Sequence, residues 1–367
     1  MTARNVISGP FPKAVPPAQA SEPRPDPRSD PRAGLAPVLD LRSVTTRFPG
    51  EEGAITIVDD VSLSVRPGET LAVVGESGSG KTMTFLSAIG LVPPPGRVVS
   101  GQVMLGGTDL LKLPPEELRK HRGTGLSMVF QDPLTGLNPV FTIGDQIAEV
   151  LRAHKDMSRA EARNRAIELL DRVHIPDPKR RVNDYPHQLS GGMRQRVLIA
   201  MAIALEPRVL IADEPTTALD VTVQAQVLEL LGELRDASGM AMVLITHDLG
   251  LVARHADQVA VMYAGRVVEQ GPIEAVFDAT AHPYTVSLFE SVPHLDSDSA
   301  ADLTPIEGQP PNPAFLPAGC AFEARCFLGR GREDCLARRP SLAAARGAGH
   351  ETACHHWGEI ASGEGRS

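Results

Sequence analysis

A glycine-rich segment near residue 80 has the composition and spacing of a phosphate-binding loop. Residues 75–82 fit the pattern G-x-x-x-x-G-K-[ST] and directly follow the apolar run 70–74. In such a loop backbone N–H groups surround phosphate oxygens, while Lys81 reaches the β- and γ-phosphates and Thr82 binds Mg2+. The sequence therefore predicts a nucleoside-triphosphate site. Its predicted nucleotide-binding residues are Gly75, Ser77, Gly78, Ser79, Gly80, Lys81 and Thr82.

Two later apolar runs end in residues that could act on a bound triphosphate. The run 209–212 is followed by Asp213 and Glu214, and the run 243–246 is followed by His247. In parallel sheets the carboxyl ends of successive strands point to one crevice. Asp213 would hold Mg2+, and Glu214 would polarise the attacking water. Together with the phosphate loop, these residues indicate nucleoside-triphosphate hydrolysis.

A second anion-binding segment precedes the strongly helical stretch 194–204. Ser190, Gly191 and Gly192 would present a hydroxyl and backbone N–H groups at a helix N-terminus, where the helix dipole favours anions. A single triphosphate rarely needs two helix N-termini from one chain. The pattern therefore suggests that the nucleotide is held between two subunits.

The hydrophobic pattern around these residues predicts an α/β fold. The β-type runs 38–44 and 55–65 indicate antiparallel strands. Further along, the apolar runs 209–212 and 242–246 alternate with a helical stretch at 223–235. This alternation is typical of a parallel sheet covered by helices.

Three other segments differ from this core. Residues 1–37 are rich in proline and predict a disordered tail. Residues 134–192 predict a helical insertion, in which Ser158 and Glu161 form a capping box. Residues 293–367 begin as a linker and continue as a cysteine-bearing tail outside the core.

Composition excludes several classes of protein. The net charge of -9 and the pI near 5.7 argue against a protein that coats nucleic-acid backbones. The N-terminus has no secretory leader pattern, which predicts that the chain is not exported. The longest apolar run, Val197–Leu205, is far shorter than the roughly 20 residues of a membrane-spanning helix. Any membrane role is therefore predicted to be peripheral.

The four cysteines all follow residue 319. In a chain expected to stay in a reducing compartment, they indicate metal ligation or inert thiols rather than disulfides. Their spacing contains no CxxC pair, which favours an iron–sulfur cluster over structural zinc. Zinc with His355 or His356 as substitute ligands and unligated thiols remain alternatives. The four predicted ligands are Cys320, Cys326, Cys335 and Cys354.

The ordered motifs of residues 38–292 resemble an ABC-transporter ATPase subunit. This resemblance implies a RecA-like P-loop core with an antiparallel β subdomain, a helical subdomain at about 134–192, and a small Cys-rich C-terminal extension at 293–367. The motifs are GESGSGKT, VFQDP (129–133), LSGGM (189–193), VLIADEP (209–215), TALD (217–220) and ITHD (245–248).

Within that family the chain most resembles the dipeptide/oligopeptide and nickel importers, through residues 131–133, residues 185–192, residues 282–285 and the cysteine-containing extension. The resemblance implies ATP and Mg2+ as cofactors, and a [4Fe-4S] cluster as in some members. It makes Gln131 a sensor of Mg2+ and the γ-phosphate, and a magnesium ligand with Thr82 and Asp213.

The resemblance also assigns roles in catalysis and across a dimer interface. Glu214 would be the catalytic base and His247 the γ-phosphate switch. Ser190–Gly192 would cap the ATP of a partner ATPase, and Asp220 would communicate across that interface. Phe48 is the aromatic residue nearest to the family's adenine-stacking position.

The implied protein is the ATP-hydrolysing subunit of a peptide importer, bound at the cytoplasmic face of the membrane. Its implied partners are a second ATPase, usually a different chain, two permeases that dock near Gln131, and an external binding protein; no nucleic acid is expected. Alternatives are an importer of nickel or another small solute, and an ABC protein of DNA repair or translation. A P-loop kinase would leave LSGGM and His247 unexplained.

Overall fold

The structure is a computed structural model that describes residues 32, 34–51, 53–131, 136–217, 219–291 and 306–362. Most of the predicted disordered tail and the first part of the predicted linker lie outside the described residues. The same holds for residues 134–135 of the helical insertion, for Asp132 and Pro133 of VFQDP, and for Ala218 of TALD.

The described residues form twelve strands in two sheets. Their bounds are β1 (Leu39–Gly50), β2 (Gly53–Val65), β3 (Thr70–Val74), β4 (Arg97–Leu105), β5 (Thr108–Asp109), β6 (Leu126–Val129), β7 (Val209–Asp213), β8 (Ala241–Ile245), β9 (Gln258–Tyr263), β10 (Arg266–Pro272), β11 (Ala343–Ala344) and β12 (Glu351–Thr352).

Twelve α-helices accompany these strands in the same described ranges. Their bounds are α1 (Lys81–Ala88), α2 (Pro115–His121), α3 (Ile143–His154), α4 (Arg159–Arg172), α5 (Pro178–Arg181), α6 (Gly191–Ile203), α7 (Val221–Ser238), α8 (Leu249–His255), α9 (Ile273–Asp278), α10 (Pro283–Glu290), α11 (Glu333–Ala337) and α12 (Trp357–Ser362).

The two sheets differ in strand direction. The smaller sheet is antiparallel in the order β2-β1-β4-β5, and its β1–β2 hairpin confirms the predicted antiparallel pair. The larger sheet has the order β11-β12-β10-β9-β3-β8-β7-β6. Its five strands β9, β3, β8, β7 and β6 run parallel. The predicted α/β core is therefore confirmed.

Alternation along the larger sheet builds separate cores on its two faces. On β3, Leu71 and Val73 pack with the antiparallel sheet, whereas Ala72 and Val74 face the opposite side. On that opposite side the helical insertion covers β7 and β8, and the C-terminal segment covers β3 and β9. The sheet is therefore buried on both faces, as its continuous apolar strands require.

The helical insertion has the predicted start and buried face at α4. Ser158 Oγ accepts a hydrogen bond from the backbone N–H of Glu161 at 3.2 Å, and the Glu161 carboxylate accepts one from the N–H of Ser158 at 2.8 Å. This capping box confirms the prediction from the sequence. The apolar face of α4, including Leu169 and Leu170, is fully buried.

The C-terminal segment continues the larger sheet. Glu269 and Gln270 of β10 pair with Thr352 and Glu351 of β12, so the short β12 and β11 cover what would be an open sheet edge. The sequence pattern predicts this segment outside the core, because two-residue strands have no periodic signal; the structure instead brings the segment into the larger sheet. No helix of the described ranges combines the length and apolar character needed to cross a membrane.

Candidate ATP-binding and hydrolysis site

The phosphate loop, residues 75–82, is pressed against neighbouring backbone. After the fully buried β3, the chain turns at Gly75 with φ of 148°, where a Cβ would collide with the carbonyl oxygen of Met262. Gly80 has φ of 100° and caps α1, and a Cβ there would lie 2.9 Å from the carbonyl oxygen of Ile57. Only glycine meets both demands, so the sequence pattern fixes the loop shape.

Lys81 lies inside the loop that it is predicted to serve. Its Nζ donates to the carbonyl oxygens of Gly75 at 2.7 Å and Glu76 at 3.0 Å. Burial lowers the pKa of Lys81, while three nearby carboxylates, led by Glu214, oppose that shift. The buried hydroxyl of Ser79 has no hydrogen-bond partner among the described residues. Phosphate oxygens would satisfy both groups.

The predicted magnesium ligands Thr82 and Asp213 meet at the end of β7. The Thr82 hydroxyl donates to Asp213 Oδ1 at 3.1 Å, and Asp213 is buried. Burial raises the pKa of Asp213, and the hydrogen bond from Thr82 opposes this shift. Hydroxyl and carboxylate oxygens are the ligands that Mg2+ prefers, so these two residues fit the ion.

The predicted catalytic residues meet around the Glu214 carboxylate. Its Oε2 accepts hydrogen bonds from Gln131 Nε2 at 2.8 Å and from the Thr217 hydroxyl at 2.9 Å. The Nδ1 atom of His247 lies 3.5 Å from Oε1. We call Thr82, Gln131, Asp213, Glu214 and His247 the catalytic edge.

Thr217 contacts the Glu214 carboxylate, although the sequence pattern assigns it no role. Its position three residues after Glu214, in a turn where the Thr217 N–H donates to the Glu214 carbonyl oxygen at 3.1 Å, brings the hydroxyl back to the carboxylate. Glu214 itself has φ of 45°, a conformation that residues other than glycine rarely adopt. Its N–H donates to the carbonyl oxygen of Ile245 at 2.9 Å, which aims the side chain along the strand ends.

Part of the catalytic edge is open to solvent, although Asp213 is buried. The side chain of His247 is 68% exposed and that of Glu214 is 18% exposed. A carboxylate with a free approach can accept a proton from water, and a neighbouring imidazole can contact a phosphate oxygen. The edge therefore has the groups and the access that triphosphate hydrolysis requires.

The segment Ser190–Gly192 forms the N-terminal end of α6. The Ser190 hydroxyl caps α6 by accepting from the Met193 N–H at 3.3 Å, and Asp220 caps α7 by accepting from the Val223 N–H at 3.0 Å. A Cβ on Gly192 would lie 2.6 Å from Val223, so the two caps are neighbours. Both caps are exposed. Their role at a partner's ATP stays a prediction.

Phe48 lies on β1, opposite Ile55 of β2. Its ring is half-buried and packs so closely on Gly96 that a side chain there would collide with it. Its described neighbours belong to the antiparallel sheet and the Gly96 turn. Stacking on adenine stays a prediction for this residue.

The four cysteines line one small cavity in the C-terminal segment, which we call the cysteine cavity; His282, Phe322 and Gly329 also line it. All four thiols are free. A Cβ on Gly329 would lie 2.9 Å from Cys335 Sγ and 3.5 Å from Cys326 Sγ. Burial raises the pKa of Cys335 to about 11 and that of Cys354 to about 12. All four cysteines therefore line the same cavity.

The two alternative histidine ligands differ in placement. His356 Nε2 lies 3.0 Å from Asp334, and the ligand atoms of Asp334, Cys335 and His356 all fall within 4.8 Å of one another. His355 Nε2 instead lies 3.1 Å from the carbonyl oxygen of Arg338, although His355 lines the cysteine cavity as His356 does. Of the two histidines, His356 is the one whose ring lies within ligand distance of a cysteine and an aspartate in that group.

Comparison with known proteins identifies two matching regions and close relatives. Residues 58–217 match the ABC transporter family, and residues 268–335 match the oligopeptide/dipeptide transporter, C-terminal region. A Brucella melitensis protein, provisionally named a peptide import ATP-binding protein, is 49% identical over 337 residues, 89% of this chain and 99% of that protein. A similarly named Brucella abortus protein is 50% identical over 312 residues, 85% of this chain and 93% of that protein.

Solved structures match the cassette part of the chain. An ATP-binding cassette, solved as a dimer in a post-hydrolysis state with ADP and Pi, has 30% identity and a TM-score of 0.58. It covers 64% of this chain and 98% of its own. A Clostridium perfringens protein, part of an ABC transporter complex, has 27% identity and a TM-score of 0.56, with 66% and 90% covered.

These matches confirm the ABC ATPase cassette fold and the predicted ATPase activity. The relatives extend through both matched regions at about half identity, which is well beyond a shared fold alone. The chain belongs to the ABC transporter family, as an ATPase that carries the oligopeptide/dipeptide transporter C-terminal region.

Proposed function

We propose that this chain binds and hydrolyses ATP to energise the import of peptides. The observation that carries the proposal is the meeting of Gln131, Thr217 and His247 around Glu214, beside a phosphate loop in which the buried Ser79 hydroxyl has no hydrogen-bond partner among the described residues. The peptide substrate rests on the C-terminal match and on the names of the Brucella relatives.

In this proposal the residues of the site divide phosphate binding, magnesium binding and water activation among them. Lys81 and the N–H groups of residues 75–82 bind the β- and γ-phosphates. Mg2+, held by Thr82 and Asp213 with Gln131, neutralises charge on the phosphates when it is bound. Glu214 orients water and takes its proton, while Gln131 and Thr217 fix the carboxylate. His247 contacts the γ-phosphate and reports its loss.

The second ATPase completes the site. Ser190–Gly192 and Asp220 are exposed caps of neighbouring helices, which supports a face presented to another cassette rather than to the chain's own Lys81. We propose that this partner is a different chain, and that ATP closes the pair while hydrolysis reopens it.

The permeases are proposed to dock next to the catalytic edge. Three large apolar side chains near Gln131 and α3 are exposed: Phe130 by 43%, Val140 by 71% and Phe141 by 50%. Phe130 directly precedes Gln131, and the other two shortly precede α3 in the sequence. A contiguous patch of exposed apolar side chains marks an interaction surface, and we propose that these three form one. In this proposal two permeases dock here, at the cytoplasmic face of the membrane, and receive peptide from an external binding protein.

We further propose that the four cysteines hold a [4Fe-4S] cluster. Two features support the fit: four thiols converge on one cavity, and Gly329 leaves room where a Cβ would meet two sulfurs. Backbone N–H groups of Gly329 and His356 donate to Cys326 and Cys354 sulfur at 3.1 and 3.4 Å, a typical surrounding for thiolates. Zinc at Cys335, His356 and Asp334 is the alternative. Stoichiometric zinc without iron in anaerobically purified protein would support it.

Transport in vesicles tests the main proposal. The chain, its partner ATPase and both permeases are placed in vesicles with the loaded binding protein, and uptake of a labelled peptide mixture is measured with ATP on the ATPase side. We expect ATP-dependent accumulation in wild type and none with Glu214→Gln. Uptake of Ni2+ or free amino acids instead of peptides would reject the peptide assignment.

A further inference from the structure

A side chain of the cysteine-bearing segment reaches into the phosphate loop. Arg325 donates from Nη1 to Glu76 Oε2 at 2.7 Å and from Nη2 to Glu76 Oε1 at 2.9 Å. The two residues are 249 positions apart, and the Arg325 side chain is only 5% exposed. Paired, parallel hydrogen bonds of this kind fix orientation as well as charge.

Several groups hold Arg325 in this position. Its Nε donates to the carbonyl oxygen of Glu307 at 2.8 Å, and Nη1 lies 3.2 Å from the hydroxyl of Tyr263. Its guanidinium carbon lies 5.8 Å and 5.9 Å from the ring centres of Tyr263 and Phe322. Phe322 is itself buried, so the guanidinium has little freedom to leave Glu76.

Glu76 is also held from a second direction. Its backbone N–H donates to the Tyr284 hydroxyl at 2.8 Å, and Tyr284 is fully buried on α10. The backbone of Glu76 is therefore held by Tyr284, and its side chain is held by Arg325. Loops that must match a ligand closely gain affinity when they are held in the bound shape beforehand.

The charge of Glu76 makes the Arg325 contact more than a structural link. A carboxylate in a loop that binds a triphosphate repels the ligand at close range. Its carbonyl oxygen already accepts from Lys81, and its charge is one of the three that act on that lysine. An arginine that neutralises Glu76 therefore removes a repulsion and leaves Lys81 available for phosphate.

We propose that Arg325 is a positioning residue for ATP: it neutralises Glu76 and holds residues 75–77 in the shape that receives the phosphates. The inference rests on the ATP site proposed above. The C-terminal segment thereby becomes part of the nucleotide site, although it touches no nucleotide.

The test compares three variants in the assembled complex. Arg325→Ala should raise the KM for ATP about tenfold and leave kcat within about twofold. Arg339→Ala is the matched control. Arg339 also joins the C-terminal segment to the cassette, because its Nη1 donates to Asp59 Oδ2 of β2 at 2.7 Å, but this contact lies outside the phosphate loop. Its KM should stay within about twofold of wild type. In the double variant that combines Arg325→Ala with Glu76→Gln, the KM for ATP should return most of the way to the wild-type value.

Two results would overturn the inference. One is a wild-type KM in Arg325→Ala. The other is an equal rise in Arg325→Ala and Arg339→Ala without rescue by Glu76→Gln, which would mean that only docking of the segment matters. Lys81→Ala separates this failure from failure of the ATP site: if Lys81→Ala keeps wild-type ATP affinity, the site itself is wrong and the inference falls with it.

Discussion

The catalytic edge and the cysteine cavity gather their reactive side chains in different ways. The catalytic edge draws Glu214 and His247 from the ends of neighbouring parallel strands, and these side chains stay partly or largely exposed. The cysteine cavity draws Cys335 from the short helix α11 and the other three thiols from chain outside the α-helices and strands, and it leaves them buried or partly buried. The first arrangement admits a ligand that comes and goes, whereas the second suits a group that remains.

The nucleotide site, which comprises the phosphate loop and the catalytic edge, also differs from the cysteine cavity in its electrostatics. Lys81 and Asp213 have opposite charges and lie close enough for each to act on the other's pKa. The thiols of Cys335 and Cys354 have raised pKa values because burial disfavours thiolates and neighbouring thiols add repulsion. A bound cation or cluster is what makes such thiols anionic near neutral pH. The predictions below test whether the two regions divide the work in this way.

Glu214→Gln should give the largest effect. The amide cannot take a proton from water, so kcat should fall about a thousandfold, whereas ATP affinity should stay within a few-fold of wild type. Single-turnover hydrolysis and equilibrium nucleotide binding measure the two quantities. Glu229→Gln, the same change on the exposed face of α7, should do neither. Comparable turnover in the two variants would remove Glu214 from the role of base.

Lys81→Ala should act one step earlier, on binding. Loss of the ammonium group removes charge-assisted hydrogen bonds to phosphate, and the Kd for ATP should rise about a hundredfold. Lys120→Ala is the control, since Lys120 is exposed and pairs with Glu117. Isothermal titration of both variants with ATP and Mg2+ decides the point; equal affinities would contradict the phosphate-loop assignment.

The catalytic edge could be predicted from sequence because local rules place its residues. A fully apolar strand followed by G-x-x-x-x-G-K-[ST] fixes the loop shape of residues 75–82, and the order of apolar runs puts Asp213, Glu214 and His247 at one edge of a parallel sheet. Gln131 came from a family resemblance, and the structure brings its amide to Glu214 at 2.8 Å.

The contacts of the C-terminal segment could not be predicted in that way. The pairing of β12 with β10 involves two residues of each strand, and the Arg325–Glu76 contact joins positions 249 apart. Neither contact produces a periodic pattern in the sequence. An arginine next to a cysteine in the sequence is equally consistent with a solvated surface group. Such contacts follow from the shape of the folded chain rather than from local propensity.

Cys354→Ser should show that the cysteine cavity is a structural unit with a resident group. We expect anaerobically purified variant to lose its iron and acid-labile sulfide, and the protein to lose at least about 2 kcal/mol of stability, because binding free energy of a resident group contributes to folding. Iron analysis and thermal unfolding measure this. Arg332→Ala, which breaks a pair with Glu359 inside the same segment at 2.7 Å, should keep its iron. Iron retained in Cys354→Ser would exclude that thiol as a ligand.

The smallest expected effect belongs to His282, which connects the cysteine cavity to the phosphate loop. Its ring lines the cysteine cavity, and its Nδ1 accepts from the N–H of Tyr284, the residue that holds Glu76. Burial lowers the pKa of His282 to about 3, whereas an exposed histidine titrates near 6.5. At pH values between 3 and 6.5, His282 therefore takes up a proton when the protein unfolds. The contribution of the neutral, buried ring to stability is complete above pH 6.5 and is lost as the pH falls towards 3.

When the pH falls from 7 to 5.5, this linkage should lower the unfolding free energy of wild type by about 1 kcal/mol. The unfolding free energy of His282→Asn should not show this decrease. Urea unfolding of both proteins at the two pH values gives the difference. Asn is chosen because it can still cap α10, and His187→Asn, an exposed change, should behave as wild type. If wild type and His282→Asn lose equal stability on acidification, His282 is not held neutral by burial. The connection between the cysteine cavity and Tyr284 would then not depend on its uncharged ring.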